Sequence, residues 1–233
     1  EITTRLVGSE MCIRDRVIPK QFIEIGGVPI IVRTVRAFLA VEEIDMVYVG
    51  IKPDWHEYTN ELFERFGIDK ERIRVIDGGA DRNGTVMNIA EAIVDEHGEN
   101  EGDIILTHDA VRPFVTEEII KDNIEAMREH SACGTYMPAA DTIIRSDGEK
   151  VRETLNRSEL YQAQTPQTFR LGDLRRNYYS LSEEQNKKLT DTCSVFTACN
   201  EDIYLVVGDA MNFKITTDSD LKMANALAEL SEK

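Results

Sequence analysis

Two segments of this 233-residue chain combine residue types that hold anions and metal ions. The first reads DGGADRNGT over residues 77–85, between a β-like apolar run and a helix-like segment. Glycines let a backbone approach a ligand closely, and the N–H groups at a helix N-terminus face polar ligands. We expect a ligand-binding loop here, with Asn83 or Thr85 capping the helix. A strand-to-helix turn that needs glycine only for its own geometry is the alternative.

The second segment reads THDAVRPF over residues 107–114. Asp109 follows an apolar strand, where it is suited to Mg²⁺, which takes few protein carboxylates and completes its shell with phosphate and water. Arg112 has the fork geometry that binds a phosphate through two parallel hydrogen bonds. The alternative is an Asp–Arg pair that closes a loop before Pro113. His108 is predicted to be structural rather than catalytic.

Three further cations stand in short motifs that suit an anionic substrate. Lys20 follows a proline in PKQF, where it can act as a point charge on a phosphate. Arg157 follows Asn156 ahead of QTPQTF at 164–169, and Lys214 lies in NFKITT at 212–217. Considered singly, each of these cations is better explained as a solvated or ion-paired surface charge.

Short runs rich in Val, Ile or Tyr alternate with amphipathic segments, and this order predicts the elements that position these residues. One predicted helix buries a stripe of apolar residues between Val86 and Val94, another begins after Thr116, and the last follows a capping box at 217–220. The alternation predicts an α/β fold with a doubly wound, mostly parallel sheet, in which ligands bind at the carboxyl ends of the strands. Strands are predicted at 46–51, 73–76, 104–107, 134–137 and 203–207.

Between about Ala139 and Thr165 the alternation breaks down into a polar stretch with a turn at 146–148. From the residues alone, this stretch is either a plain hairpin on the domain surface or a β-arm that reaches a second subunit.

Composition excludes several classes of protein. The net charge is −16, with 27 Lys+Arg against 43 Asp+Glu, and no basic cluster is present, which argues against a nucleic-acid surface. No apolar run approaches the ~20 residues that span a bilayer, so no membrane association is expected. The four cysteines form no CxxC pair, a pattern typical of reduced thiols in a cytoplasmic protein.

Taken in order and spacing, the motifs resemble one family, the cytidylyltransferases that join CTP to a sugar-alcohol phosphate. The resemblance runs from about Val17 to Leu230 and includes PKQF, GGADRNGT, THDAVRPF, QTPQTF, LTD at 189–191 and NFKITT. Two subfamilies compete, one acting on 2-C-methyl-D-erythritol 4-phosphate for isoprenoid synthesis and one on ribitol 5-phosphate for teichoic acid or capsule synthesis. The methylerythritol enzymes typically read HDAARP and TDDA or TDEA. This chain is more similar to the ribitol enzymes, which we favour, because it contains THDAVRPF, LTDTC, GGADRN and QTPQTF.

The resemblance implies a Rossmann-like nucleotidyltransferase fold, a homodimer and a role for each matching residue. Lys20 would stabilise charge on the α-phosphate, and Asp109 would hold Mg²⁺. Arg112, Arg157 and Lys214 would bind the acceptor phosphate. Thr142 and Arg157 would act across the dimer, which favours the arm interpretation of residues 139–165. The nucleotide would contact Gly79, Ala80, Asp81, Arg82, Asn83, Gly84, Thr85 and Ala110.

The reaction implied is an in-line attack of the acceptor phosphate on the α-phosphorus of CTP, with pyrophosphate leaving. The substrate brings its own nucleophile, so the protein supplies alignment and charge neutralisation. Both reactants are polyanions and the chain is acidic, and therefore Mg²⁺ and local cations are required.

Residues 1–16 depart from the family pattern, which has a strand and a loop of the form AGGxGxR before PKQF. This chain reads EITTRLVGSEMCIRDR there, and MCIRDR looks like a translated adapter sequence. We expect residues 1–16 to be an artefact that replaces the first strand and half of the triphosphate site, and 17–233 to form a single domain. Such a chain would bind CTP poorly and turn over slowly. Alternatively, it would be an inactive nucleotide-binding scaffold. A nicotinamide-dependent oxidoreductase is disfavoured because no GxGxxG opens the first helix.

Overall fold

The computed structural model describes residues 2–7 and 18–231 of the chain. The strands are β1 Ile2–Val7, β2 Glu24–Ile25, β3 Val28–Pro29, β4 Met46–Ile51, β5 Ile73–Asp77, β6 Ile104–Asp109, β7 Ala132–Pro138, β8 Ile144–Ser146, β9 Val151–Thr154, β10 Tyr161–Arg170 and β11 Tyr204–Val207. The helices are α1 Ile30–Leu39, α2 His56–Arg65, α3 Arg82–His97, α4 Glu117–Ala126, α5 Leu171–Ser180, α6 Glu183–Asn186, α7 Cys193–Ala198 and α8 Asp218–Ser231.

Within those described ranges, seven strands form one sheet in the order β11-β7-β10-β6-β1-β4-β5. Neighbouring strands are parallel except around β10, which runs antiparallel to both β6 and β7. The predicted mostly parallel sheet is therefore confirmed. Strands β1, β4, β5 and β6 end at one edge, where Val7 pairs with Asp109 and Ile51 pairs with Asp77.

Helices cover both faces of the sheet, because the strand side chains alternate between two apolar cores. On β4, Val47, Val49 and Ile51 face the core built with α1, α2 and α4, whereas Met46 and Tyr48 face the core built with α3, α5 and α7. This double winding is the predicted architecture. No helix among the described residues is long and apolar enough to cross a membrane.

Strand β10 is a central strand of the sheet that the sequence did not predict. Its residues, YQAQTPQTFR, are mostly polar and include a proline, so they lack the apolar signature of a central strand. The segment from Gln164 to Phe169 is nevertheless buried between β6 and β7. Its polar side chains are accommodated because other residues accept or donate their hydrogen bonds.

The predicted arm, residues 139–165, is divided between two structures. Strands β8 and β9 form an exposed antiparallel hairpin around the predicted turn at 146–148. Residues 161–165 belong to β10, and Tyr161 pairs with Pro138 of β7. The predicted boundary at Thr165 is therefore wrong, and the hairpin proper spans 144–154.

The N-terminal segment 2–7 forms β1, between β4 and β6. The expectation that the chain lacks its first strand is wrong, because a run of β-compatible residues occupies that place in the sheet. Residues 8–17, where the family pattern has its glycine-rich loop, lie outside the described residues, so the predicted loss of half of the triphosphate site and the poor CTP binding stay predictions. The proposed artefactual origin of residues 1–16 stays a prediction.

Packing between β10 and α7 offers a test of the core. Phe169 is fully buried and stacks on Phe196, with 4.8 Å between the ring centroids. Phe169→Ala should lower the free energy of unfolding by about 3–5 kcal/mol, as measured by chemical denaturation. The control Leu230→Ala removes a side chain that is 68% exposed and should cost less than about 0.5 kcal/mol. An equal loss of unfolding free energy in the two variants would contradict this packing.

Candidate active site

Asp109, the last residue of β6, is the centre of the candidate site and is only 3% exposed. Arg112 Nε and Lys214 Nζ each lie 3.1 Å from its Oδ2 atom, and Arg82 Nε lies 3.7 Å from its Oδ1 atom. Burial raises the pKa of the Asp109 carboxyl, but the charges of Lys214, Arg82 and Arg112 together hold this pKa well below its ordinary value. The carboxylate therefore stays ionised although it is buried.

We call Asp109, Arg82, Arg112 and Lys214 the cation cluster. Its three cations come from distant parts of the chain: Arg82 begins α3 after β5, Arg112 follows β6, and Lys214 lies between β11 and α8. Counted by themselves, these four side chains carry three positive charges and one negative charge. The side chain of Lys214 is 33% exposed, so it can reach a ligand from solvent. The cluster suits a polyanionic substrate.

Uncharged polar residues hold the cluster in place. Arg112 Nη1 donates a hydrogen bond of 2.7 Å to the Asn212 carbonyl, and Asn212 Nδ2 donates one of 2.8 Å to the Thr165 carbonyl. Asp109 N donates to Thr165 Oγ1 over 3.1 Å. Thr165 and Asn212 lie in motifs that the sequence singles out, but neither residue was predicted to belong to the site, because nothing in their types shows that they are buried.

The LTDTC segment, residues 189–193, supports Arg82 from the other side. Arg82 Nη1 donates to Thr192 Oγ1 over 2.8 Å. Gln167 of β10 anchors this segment, since its Nε2 donates to Asp191 Oδ2 over 2.6 Å and its Oε1 accepts from Thr192 N over 3.2 Å. Strand β10 thus contacts the Asp109 backbone through Thr165 and, through Gln167, the segment 191–192 that holds Arg82.

The loop before α3 is capped by Asp81, which corrects the expectation that Asn83 or Thr85 caps the helix. Asp81 Oδ1 accepts a 2.7 Å bond from Gly84 N, two residues into the helix that starts at Arg82, as a side-chain cap requires. The hydroxyl of Thr85 is also used locally, because it donates to the Asp81 carbonyl and accepts from Gly79 N, both over 2.8 Å.

The remaining loop residues differ in what they offer a ligand. Ala80 and Asp81 are exposed, and Asn83 Oδ1 is buried without a hydrogen-bond partner in the described part of the chain. A side chain at Gly79 would lie 2.5 Å from Thr85 N, so this close approach of two backbones requires glycine.

Lys20 and Ala110 are both buried. Lys20 is 5% exposed in the short 3-10 turn Lys20–Phe22, so the alternative of a solvated surface lysine is wrong. Ala110 is fully buried in the core under α1, and its carbonyl accepts a 2.9 Å bond from Thr34 Oγ1. The structure thus gives Ala110 a packing contact, and its contact with a nucleotide stays a prediction.

Thr142 and Arg157 lie beside the hairpin. Both are exposed, and Arg157 Nη1 donates a 3.0 Å bond to the Ala140 carbonyl. The described contacts place Arg157 at the base of the hairpin. Whether either residue reaches the site of a second subunit stays a prediction.

Asp109 fits a metal ion that is held mainly by its substrate. The Oδ1 atom is buried and accepts no hydrogen bond from the described residues. Within 2–7 and 18–231, no three His, Cys, Asp or Glu side chains gather into a metal site. One carboxylate oxygen suits Mg²⁺, which usually keeps several waters and binds through one or two carboxylates plus substrate phosphates.

Comparison with known proteins decides the family. The family model described as IspD, 2-C-methyl-D-erythritol 4-phosphate cytidylyltransferase, matches residues 8–229. The chain belongs to this family. The predicted nucleotidyltransferase class is therefore confirmed, and the chain is a cytidylyltransferase.

Solved structures of IspD-family proteins share the fold over nearly the whole chain. The 4-diphosphocytidyl-2C-methyl-D-erythritol synthase of Anaerococcus prevotii is 30% identical, with a TM-score of 0.82 over 98% of this chain and 96% of that one. The Francisella tularensis cytidylyltransferase is 28% identical, with a TM-score of 0.81 over 97% and 99%. The Thermus thermophilus enzyme is 26% identical, with a TM-score of 0.75 over 97% and 98%. The likeness confirms an α/β nucleotidyltransferase fold.

Lys214 provides a test of the cation cluster. Lys214→Gln removes one cation but leaves Asp109 paired with Arg112 and Arg82, so the chain should still fold. The kcat/KM for cytidylyl transfer should fall by about 10²–10³-fold, the range for losing one preorganised group that holds charge at the reacting centre. Lys222→Gln removes the same charge from an exposed position on α8 and is the matched control. A similar kcat/KM in the two variants would count against a role of the cation cluster in catalysis.

Gly79 provides a test of the loop. Gly79→Ala places a methyl group against the Gly84 and Thr85 backbone, so the loop must open. Calorimetry should show at least about tenfold weaker CTP binding, because opening the loop displaces the backbone N–H groups that face the ligand. Gly102→Ala is the control, because its added methyl group meets nothing within 4 Å. Unchanged CTP affinity in Gly79→Ala would show that the loop does not contact the nucleotide.

Proposed function

We propose that this cytidylyltransferase transfers the cytidylyl group of CTP to the phosphate of a short sugar-alcohol phosphate. The observation that carries the proposal is the cation cluster, which surrounds a single buried carboxylate at the carboxyl edge of the sheet. Two crowded polyanions need positive charge at one place, and three cations in a fixed arrangement supply it without reorganisation during the reaction.

In the proposed reaction, an oxygen of the acceptor phosphate attacks the α-phosphorus of CTP. The bond from the α-phosphorus to the bridging oxygen breaks, and pyrophosphate leaves with the electron pair. Arg112 and Lys214 hold the acceptor phosphate, Lys20 stabilises charge on the α-phosphate, and residues 79–85 hold the nucleoside. No protein nucleophile takes part, so catalysis rests on alignment and charge neutralisation.

Asp109 is the proposed ligand for a divalent cation, which enzymes of this family typically use. A bound Mg²⁺ would neutralise charge on the phosphates. The charges of Lys214, Arg82 and Arg112 hold the pKa of Asp109 below its ordinary value, and Arg82 and Arg112 also orient the carboxylate, since each contacts a different one of its oxygens.

Two acceptors are candidates, and a different observation favours each. The comparisons favour 2-C-methyl-D-erythritol 4-phosphate, because the matching family is described by that activity and the solved structures named above carry the same or an equivalent description. Ribitol 5-phosphate is the second candidate. It is favoured by the sequences THDAVRPF, LTDTC and GGADRN, which are more similar to the ribitol enzymes.

Pyrophosphate release with CTP and each acceptor in turn decides between them. We expect Mg²⁺-dependent release with one acceptor and at least about tenfold lower kcat/KM with the other, because a site built for one hydroxyl pattern leaves polar groups unpaired with another. EDTA should abolish release, and excess Mg²⁺ should restore it. Release with neither acceptor would overturn the proposal.

The hairpin supports a homodimer in which each subunit completes its partner's site. Ile144, Val151 and Tyr161 are exposed on or beside the hairpin, at 43%, 63% and 46%. A two-stranded hairpin is only marginally stable alone, so an exposed apolar set on it favours burial against a second copy. Thr142 and Arg157 would then enter the partner's site.

Mixing two inactive variants tests this arrangement. If Arg157 acts across the dimer and Lys214 within its own subunit, Arg157→Ala and Lys214→Ala chains unfolded and refolded together form mixed dimers with one intact site. Activity should return to about a quarter of that of the wild type, because half of randomly assembled dimers are mixed. Each variant refolded alone is the control. No recovery, or monomers in sedimentation, would contradict the cross-subunit role.

A further inference from the structure

His108 is a fully buried imidazole that the proposed reaction does not use. It precedes Asp109 on β6, and its ring lies against Phe38 of α1, with 4.9 Å between the ring centroids. Its Nδ1 atom lies 2.9 Å from Thr165 Oγ1, and its Nε2 atom lies 3.1 Å from the Arg112 carbonyl. The imidazole therefore joins β10 to the turn that carries Arg112.

Hydrogen-bond chemistry fixes where the imidazole proton resides. The Arg112 carbonyl can only accept, so Nε2 carries the proton. In a neutral imidazole with its proton on Nε2, Nδ1 can only accept, so the Thr165 hydroxyl donates its single proton to Nδ1 while its oxygen accepts from the Asp109 N–H group. The chain of bonds has one direction, from the Asp109 backbone through the Thr165 hydroxyl and the imidazole to the Arg112 carbonyl.

This series of hydrogen bonds holds both ends of one turn. Arg112 N donates a 3.0 Å bond to the Asp109 carbonyl, which closes residues 109–112 into the turn. Thr165 fixes the start of the turn through the Asp109 N–H group, and His108 fixes its end through the Arg112 carbonyl. The carboxylate of Asp109 and the guanidinium of Arg112 project from these two ends and meet at 3.1 Å.

We propose that His108, as its Nε2–H tautomer, and the Thr165 hydroxyl act as a positioning pair that sets the Asp109–Arg112 geometry for cytidylyl transfer. Neither residue needs to touch the reacting atoms to do this. The effect on catalysis rests on the function proposed above, whereas the tautomer and the hydrogen bond from Thr165 to Nδ1 do not.

Nitrogen-15 NMR of the full-length chain reads the tautomer directly. The chain has four histidines, and comparison with His108→Gln identifies the His108 signals. We expect the Nε2–H form in the wild type and in Thr165→Ser, which keeps the hydroxyl. In Thr165→Val, Nε2 keeps the Arg112 carbonyl as its acceptor, so the tautomer should stay Nε2–H, but the Nδ1 signal should shift to that of a nitrogen that accepts no hydrogen bond. An Nδ1–H form in the wild type would overturn the proposal.

Kinetics then separate positioning from stability. Thr168→Val is the matched control, because Thr168 is also a buried threonine of β10, but its hydroxyl donates to Asn123 Oδ1, away from the turn. Thr165→Val should lose about 10–100-fold in kcat relative to Thr168→Val, the range for residues that orient a functional group, and Thr165→Ser should recover most of it. His108→Asn should retain more kcat than His108→Ala, because its amide oxygen can accept from Thr165.

The outcomes separate the two proposals. Equal kcat in Thr165→Val and Thr168→Val, or no rescue by Thr165→Ser, would overturn the positioning role while the reaction stands. A wild type that uses neither acceptor would overturn the proposed function. The NMR comparison of Thr165→Val with Thr165→Ser then decides the positioning pair without turnover.

Discussion

A buried negative charge governs the arrangement of this protein. Taking a carboxylate out of water costs several kcal/mol unless opposite charges and hydrogen bonds replace the solvent. Asp109 meets that demand with Arg82, Arg112 and Lys214, which lie far apart in the sequence. The dependence is mutual, since three cations this close would repel one another without the carboxylate between them. The loops after β5, β6 and β11 must therefore converge on one point.

Convergence on this point depends on β10, the one antiparallel strand in a parallel sheet. Its direction brings its first half, rather than its last, to the carboxyl edge where Asp109 lies. Thr165 and Gln167 are thereby placed beside two different parts of the site, the Asp109 backbone and the segment that holds Arg82. Both side chains are uncharged, so they orient the cations without changing the charge of the cluster.

The elements that the sequence predicted are those whose signal is apolar. β4, β6 and the stripe on α3 follow from runs of Val and Ile, and Asp109, Arg112 and Lys214 were singled out because they are charged. β10 was missed, because its burial depends on hydrogen bonds to residues far away in the chain. The Asp81 cap was missed for a related reason: three neighbouring polar residues, Asp81, Asn83 and Thr85, are of types that can cap a helix, and the backbone path selects one.

One consequence concerns the spacing between the hairpin and the sheet. The chain leaves β7 at Pro138, forms the hairpin and re-enters the sheet at Tyr161, only four residues before Thr165. Side chains on a strand alternate between faces, so losing a single residue between Tyr161 and Thr165, with Tyr161 still paired to Pro138, would turn Thr165 and Gln167 away from the site. Length variation in this family is therefore expected to concentrate at the hairpin tip, around Gly148, where added residues leave the strand register intact.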